Sequence, residues 1–498
     1  MITGIDDIVL RLVNLLKDTN SEIIPTRGTI VHDGFMLTAA SAYSWDSAVQ
    51  AFSQGIQSLD QILILETDVA FQVAVGEALG ISVDAVVSLL SAAIDRRGGN
   101  HGLTRKPASK AFSTIYFYTT TAPTENLTAP GGTVIEDPNG IQFVTTSSSV
   151  LLKDNLASYY DPSLLAYSIA VPCEALQTGP GSNVAANQLI YTVGPLPNGF
   201  SGVTNKYAVE NGHNIETDAE FVDRIKTTLA GTSLQTADGM CALILNKTDI
   251  RSVFIADASS PYQIRNSGKG GVVDIYTIDN LPSLVTDQWP YSTSDQYFKH
   301  QPAIDVISVV GTYEGDPAYY FTEGVDYAFA KDANPLSMNS ARAFDKIVWL
   351  TLVSPTMSKR PTGPYTVTYA YNQALETIQA LVTQDQYLPL MGDIASSVLA
   401  REGTQVPLEI AYQVVVYGSY AKNEVTRQAT ANVTAYVNAL GFGSSLSQSD
   451  IISVLENTPG IMSVNTVPSK FNRVGGDVEG TISVSAYEYL RAQTINVY

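Results

Sequence analysis

Histidine and cysteine are scarce in this 498-residue chain, with four of the first and two of the second. Cys173 and Cys241 are too few for a disulfide framework or a zinc knuckle. Their expected place is the interior, as small apolar side chains, which is compatible with synthesis in a reducing cytoplasm. His32, His101, His213 and His300 include no pair at the close spacing of a local zinc site, so they read as loop or surface residues. Charge is also sparse, at 15% of residues, and basic residues are the minority: 28 Lys and Arg against 48 Asp and Glu, a net charge of −20. An anionic chain repels phosphates unless it carries a dense basic patch. The densest basic clusters are only Arg96-Arg97 and Arg105-Lys106, so no nucleic-acid partner is expected.

Long apolar runs are missing as well. The longest apolar region, Ile62 to Ile81, is broken by Glu66, Asp68, Gln72 and Glu77, so no transmembrane helix and no direct membrane insertion are expected. Asp6 and Asp7 stand where a signal peptide would carry basic residues, so none is expected. Catalytic patterns are absent too. There is no Gly-x-Ser-x-Gly elbow and no EF-hand calcium loop. Gly268-Lys269 lacks the phosphate-loop pattern, because Gln263 and Gly270 stand where Gly and Ser or Thr are required. It reads as a polar hairpin turn. No catalytic, metal or cofactor-binding residue is assigned, no cofactor is called, and the chain is expected not to be an enzyme.

What is present is a globular composition, 45% hydrophobic, long enough for roughly three or four domains. The first hundred residues have helical periodicity. Ile5, Ile8, Leu12, Leu15 and Leu16 share one face, and Trp45, Val49, Phe52, Ile56, Leu59 and Leu63 step by three and four. That stripe suits a core or a bundle with a partner helix. A third helical run, from Asp68 to Ile94, ends at Gly98-Gly99. From about residue 111 the period falls to two, in Phe112 to Tyr118 and Ile141 to Thr145, with turn chemistry at Pro130-Gly131-Gly132 and Asp137-Pro138-Asn139-Gly140. Thr217 and Glu220 form a capping box that opens a helix through Phe221, Ile225 and Leu229. A further helix is expected near Asp238 to Asn246, and Gly271 to Ile278 reads as a buried strand.

Tyr365, Val367, Tyr369 and Tyr371 alternate with smaller residues, as on a half-buried strand at the surface of a small sheet. Ile410, Tyr412, Val414 and Val416 do the same further on. A helix follows from Val425 to Leu440, and Ser447 to Asp450 opens the next. The expected fold class is α+β and multidomain. A helical N-terminal region (1–100) precedes a β-rich core with embedded helices (101–280). An inserted small β domain (281–375) and an α+β C-terminal domain (376–498) complete it.

Three segments carry a family resemblance. The first is Gly102 to Ala111, a strand, and then Ala129-Pro-Gly-Gly-Thr-Val134. The second is Gly179 to Ile190 followed by Asn211 to Ile225, most specifically Glu216-Thr217-Asp218 and Arg224-Ile225. The third is Val406-Pro407, the 410–416 strand face, the helix to Leu440-Gly441, and Thr458-Pro459-Gly460-Ile461. In this order they resemble the baseplate J-like family of contractile-tailed phages and related injection machines. Residues 281–375 depart from the shortest members, and Gly324 to Tyr327 and Pro364 to Tyr369 are similar to β insertions of other tail proteins.

The resemblance implies a structural subunit of the baseplate wedge, a virion protein of the phage tail. Members form a ring around the central hub that holds the sheath extended and rearranges to trigger contraction. The partners it implies are further copies of the chain, within and between wedges, and a second smaller wedge subunit. The hub or spike, the sheath and fibre-attachment proteins complete the set. The location implied is the tail baseplate, after assembly in the host cytoplasm. Expected interface residues are Trp45, Val49, Phe52, Ile56, Leu59 and Leu63 in the helical region. In the C-terminal domain they are Tyr412, Val414, Val416, Val433, Val437 and Leu440. The alternatives are a receptor-binding or fibre-attachment protein, which the lack of fibrous repeats disfavours, and a tail-associated glycan hydrolase.

Overall fold

A computed structural model describes residues 8–11, 14, 47, 49–55 and 57–498, apart from 162–163, 232–235, 258, 264, 266–271, 279–281, 352–357 and 384–396. Trp45, Ile56, His32, Gly268-Lys269 and most of the first apolar face therefore lie outside the described residues. The chain divides into two units: Met1–Lys106 with Glu216–Leu229, and Pro107–Ile215 with Ala230–Tyr498. It is an α+β chain, as the sequence indicates.

The first unit is helical. Helices Leu59–Thr67, Val69–Leu79 and Val83–Asn100 follow one another, capped by the side chains of Ser58, Asp68 and Ser82. The single expected run from Asp68 is thus two helices. Gly80 stops the first of them at φ 69, a left-handed turn that glycine enters without Cβ strain. The buried Gln72 amide donates to the Leu65 and Glu66 carbonyls at 3.0 and 2.7 Å, satisfying a helix end that would otherwise be orphaned. Helix Asp218–Ala230 joins this unit, and the predicted capping box is present. Thr217 N donates to Glu220 Oε2 at 2.8 Å, and Glu220 N to Thr217 Oγ1 at 3.3 Å. Ile62, Val75, Val86, Leu90, Ile94, Phe221, Val222 and Ile225 fill one core.

The second unit begins with an antiparallel sheet. Its strand order is Tyr191–Thr192, Val134–Glu136, Gln142–Thr145, Ala166–Thr178, Lys110–Thr119 and Gly202–Thr204, with Tyr160–Asp161 also on Ala166–Thr178. It curls into a nearly closed barrel around Ile115, Phe117, Ile135, Phe143 and Val171. Asn205, fully buried, accepts from the Gln188 and Leu189 amides and donates to the Ala185 and Tyr207 carbonyls. It thereby satisfies backbone that no strand pairs.

Next comes a small layer. Strand Val272–Thr277 lies between Val253–Ala256, antiparallel, and Ser397–Glu402, parallel. Helices Ala237–Lys247 and Gln373–Val382 pack on it. The 282–372 β region is inserted before the second of these helices. It has a four-stranded sheet ordered Pro282–Trp289, Tyr365–Asn372, Ala303–Tyr313, Asp316–Phe321. The tyrosine-rich strand is central in the order of this sheet, and its residues alternate buried and half-buried over 365–369. Tyr365 and Tyr369 are buried, and their hydroxyls bond Gln296 Oε1 at 2.5 Å and Asp287 Oδ2 at 2.9 Å. In the last domain Thr404–Tyr412 runs parallel to Glu488–Val497 and antiparallel to Lys470–Arg473. Helices Lys422–Asn438 and Gln448–Glu456 complete its core, the second opened by a Ser447–Asp450 capping box.

Candidate functional site

The candidate interface residues divide sharply by burial. Tyr412, Val414, Val433 and Val437 are 0 to 4% exposed and sit in the core of the C-terminal domain with Phe471, Leu446 and Leu455. Expected at an interface, they lie instead in the domain's own core, their apolar surface covered by its sheet and helices. Val416 and Leu440 are half-buried against the same core. The exposed apolar side chains of this domain are others, among them Val415, Tyr417, Tyr420 and Met462. Val415 stands opposite Ser463 in the pairing of Val414–Val416 with Ile461–Val464. Val415 occupies the alternate position of the strand that supplied Val414, and two-residue alternation was the available signal for it.

In the helical unit Phe52, Leu59 and Leu63 pack half-buried on the unit's core, and Val49 is exposed. Ile62 and Leu65, on the same helix as Leu59 and Leu63, are core. A truncation through residue 66 would therefore open this core as well as removing a surface. Other exposed apolar side chains here include Ile64, Val69 and Leu89, outside the expected set. Phe52, Leu89 and Ala93 line an open groove of about 610 Å³, with Arg96 and Arg97 along it.

Charged groups in this unit are engaged structurally. Arg224 Nε and Nη2 each lie 2.7 Å from a different oxygen of Glu216, a bidentate pair buried to 6% exposure on both sides. Glu216 also accepts from the Lys106 amide at 3.0 Å, and Arg224 donates to the Thr104 carbonyl at 2.7 Å. Burial alone would raise the Glu216 carboxyl, but Arg224 and the Lys106 amide outweigh it and hold it below its ordinary value. Arg105 bridges Asp95 at 2.7 Å and Asp218 at 2.5 Å. Glu66 is pushed up to about 8, first by burial and then by sharing a hydrogen bond with Asp218, so it holds the proton of that pair.

Among the described residues, no group of three or more His, Cys, Asp and Glu side chains is arranged to hold a metal ion. Burial pushes the Cys173 thiol well up, which leaves it without thiolate character. One group of carboxylates, Asp161, Asp305 and Glu323, lines a cavity of only about 50 Å³. A sugar ring does not fit there, since small-molecule sites are several hundred Å³. Among the described residues no single helix is long and apolar enough to cross a membrane. Helices Val69–Leu79 and Val83–Asn100 pass that test only together, across a 104° bend.

The C-terminal domain is tied to the barrel by buried polar bonds. The Asn438 amide donates to the Asn183 carbonyl at 3.0 Å and to the Pro180 carbonyl at 3.4 Å, and accepts from the Ala492 amide at 3.0 Å. The Tyr489 hydroxyl donates to Glu210 Oε2 at 2.6 Å, and Arg491 Nε lies 3.7 Å from Glu210 Oε1. Strand Ser397–Glu402 is likewise committed to Val272–Thr277. The chain thus enters the C-terminal domain after residue 402, and cutting at 376 would strip the middle layer of a strand and a helix.

Comparison with known proteins agrees with the family read from the sequence. Residues 114–212, the barrel, match the family described as Baseplate J-like protein barrel domain. No curated protein sequence matches the chain. Among solved structures, a chain of the anti-feeding prophage baseplate, from a 6-fold symmetrised cryo-EM structure, is 13% identical. The match covers 99% of both chains at a TM-score of 0.28, too loose to carry an argument. The barrel match supports a structural role in a baseplate.

Proposed function

We propose that this chain is a structural subunit of a baseplate wedge in a contractile tail or tail-like particle, and is not an enzyme. The observation that carries this reading is the barrel match over residues 114–212. The engagement of buried charges in pairs and turns, rather than in an open cleft, supports it. In this reading the helical region, residues 1–100, bundles with other wedge chains through the Val49, Phe52, Leu59 and Leu63 side and the neighbouring exposed Ile64 and Leu89. The C-terminal part closes the ring through Val415, Tyr417, Tyr420 and Met462. The barrel and the middle layer, the latter including 373–382 and 397–402, are the rigid frame, and the β insertion, 282–372, is a peripheral attachment. The partners are copies of the chain, a smaller wedge subunit, and the hub, sheath and fibre-attachment proteins. The ring holds the sheath extended and rearranges to release contraction, on the virion tail after assembly in the host cytoplasm.

The test is a mass-spectrometric inventory of intact tails, isolated baseplates, and sheath and tube fractions. It is run with the natural chain and with an Ile64→Glu, Leu89→Glu variant. The natural chain is expected at fixed stoichiometry in tails and baseplates and absent from sheath and tube. The variant should fold, as judged by its circular dichroism, and stay in the soluble lysate. Absence of the natural chain from baseplates refutes the wedge reading. Normal incorporation of the variant refutes the helical surface alone.

A further inference from the structure

The inserted β region meets the barrel at the small polar cavity already noted, of about 50 Å³. Tyr116, Asp161 and Lys206 reach it from the barrel, and Asp305, Glu323 and Tyr327 from the insertion. Lys206 Nζ lies 2.6 Å from Asp161 Oδ2 and 3.3 Å from Asp305 Oδ2. It also stands 4.6 Å from the Tyr116 ring centroid, an attractive cation–π position. The Tyr116 hydroxyl donates to Asp305 Oδ2 at 2.5 Å. These bonds hold an ammonium of the barrel between one carboxylate of its own sheet and one of the insertion.

Glu323 adds a third carboxyl to this group. Among the described residues lining the joint Lys206 is the cation, so full ionisation of Asp161, Asp305 and Glu323 leaves two negative charges that it does not offset. The space admits a water or two, not a hydrated counter-ion. Asp326, on the same turn as Glu323, acts by its charge on the facing Tyr327 hydroxyl. It is fixed there by the Thr322 and Lys359 amides, at 2.9 and 2.7 Å. The facing phenols do not relieve the crowding. Burial pushes the hydroxyls of Tyr116, Tyr207 and Tyr327 well above their ordinary value, so they stay neutral.

We propose that Glu323 is a proton-operated latch of this joint: protonated, it lets the insertion seat on the barrel, and ionised, it loosens the seat. The cluster geometry carries the proposal, and its titration is consistent. Burial first, then the charge of Asp305, raise Glu323 to about 7, with Lys206 opposing. A carboxyl raised in the closed state stabilises that state fully below its free value of 4.5 and ceases to as pH rises through about 7. Closure should thus weaken about tenfold between about pH 6 and pH 8. The inference does not depend on the baseplate reading, because it concerns the isolated chain.

The test is hydrogen–deuterium exchange on the full chain at a series of pH values, corrected for the intrinsic pH dependence of exchange. Amides in 303–310 and 318–330 should lose about tenfold in protection between about pH 6 and pH 8. Those in 425–437 serve as the internal reference. Glu323→Gln should remove the loss and keep the protection of the lower pH. Asp161→Asn, which takes one charge from the cluster, should move the midpoint to lower pH without abolishing the transition. Unchanged protection in the natural chain would overturn the latch. So would the same loss in Glu323→Gln, or a midpoint that Asp161→Asn leaves in place.

Discussion

The Glu216–Arg224 pair links the most specific stretch of the sequence to the stability of the helical unit, and its energetics can be worked out. Both side chains are 6% exposed, joined by two 2.7 Å bonds. Glu216→Gln keeps the shape and one acceptor but leaves the Arg224 guanidinium buried without a counter-charge. Removing one partner of such a pair costs about 3–5 kcal/mol, because the remaining charge has lost its water and gained nothing. Replacing both with apolar groups of similar size is far milder, so Glu216→Gln with Arg224→Met should cost clearly less than the sum of the singles. Urea unfolding followed by circular dichroism measures the three variants, and hydrogen exchange in 86–94 assigns the loss to this unit. The pH dependence has a fixed sign. Glu216 is held below its free value of 4.5, so its contribution is present above that value and fades as pH falls through the folded one. The Gln variant should lack that acid-side loss. A single-variant cost under about 1 kcal/mol, or strict additivity in the double, would refute the reasoning.

Two further substitutions probe the packing that sequence periodicity leaves open. Gly98→Ala should destabilise the helical unit by about 1–3 kcal/mol, measured by urea unfolding. An ideal Cβ there would sit 2.3 Å from Phe221 Cζ, and Phe221→Leu should recover part of the loss. Asn438→Leu removes the donors to Asn183 and Pro180 and the acceptor for the Ala492 amide. It should cost about 2–3 kcal/mol in the same measurement, since buried backbone groups lose their partners.

Local chemistry was legible where a few neighbouring residues decide it. Thr217 with Glu220, and Ser447 with Asp450, announced two helix starts that the structure contains. Alternation in 112–118 and 365–371 announced strands. The barrel segment was legible as a family resemblance. Pairings that span the chain were not. Nothing near Gly98 says that its missing side chain makes room for Phe221. Nothing near Val272–Thr277 says that its parallel partner is Ser397–Glu402, because an entire β region intervenes. The bend at Gly80 was missed for a different reason. Apolar periodicity on both sides of it is that of one helix, and only the left-handed turn separates them.

The candidate interface exposes the limit of periodicity as evidence. An apolar stripe states that a face is covered, and it is silent about what covers it. Tyr412, Val414, Val433 and Val437 answered to that pattern and are covered by their own domain. The neighbouring Val415 and Met462, out of phase with the stripe, are left in solvent. A residue free to hold a partner is therefore better sought among apolar side chains that break the core's phase than among those that keep it. The same logic governs the choice of perturbation. Because Asn438 and Glu210 join the C-terminal domain to the barrel through buried bonds, deletion of that domain removes an interior along with a surface. Single charged substitutions at Val415 or Met462 leave the interior intact, so a failure to close a ring would report on the surface alone.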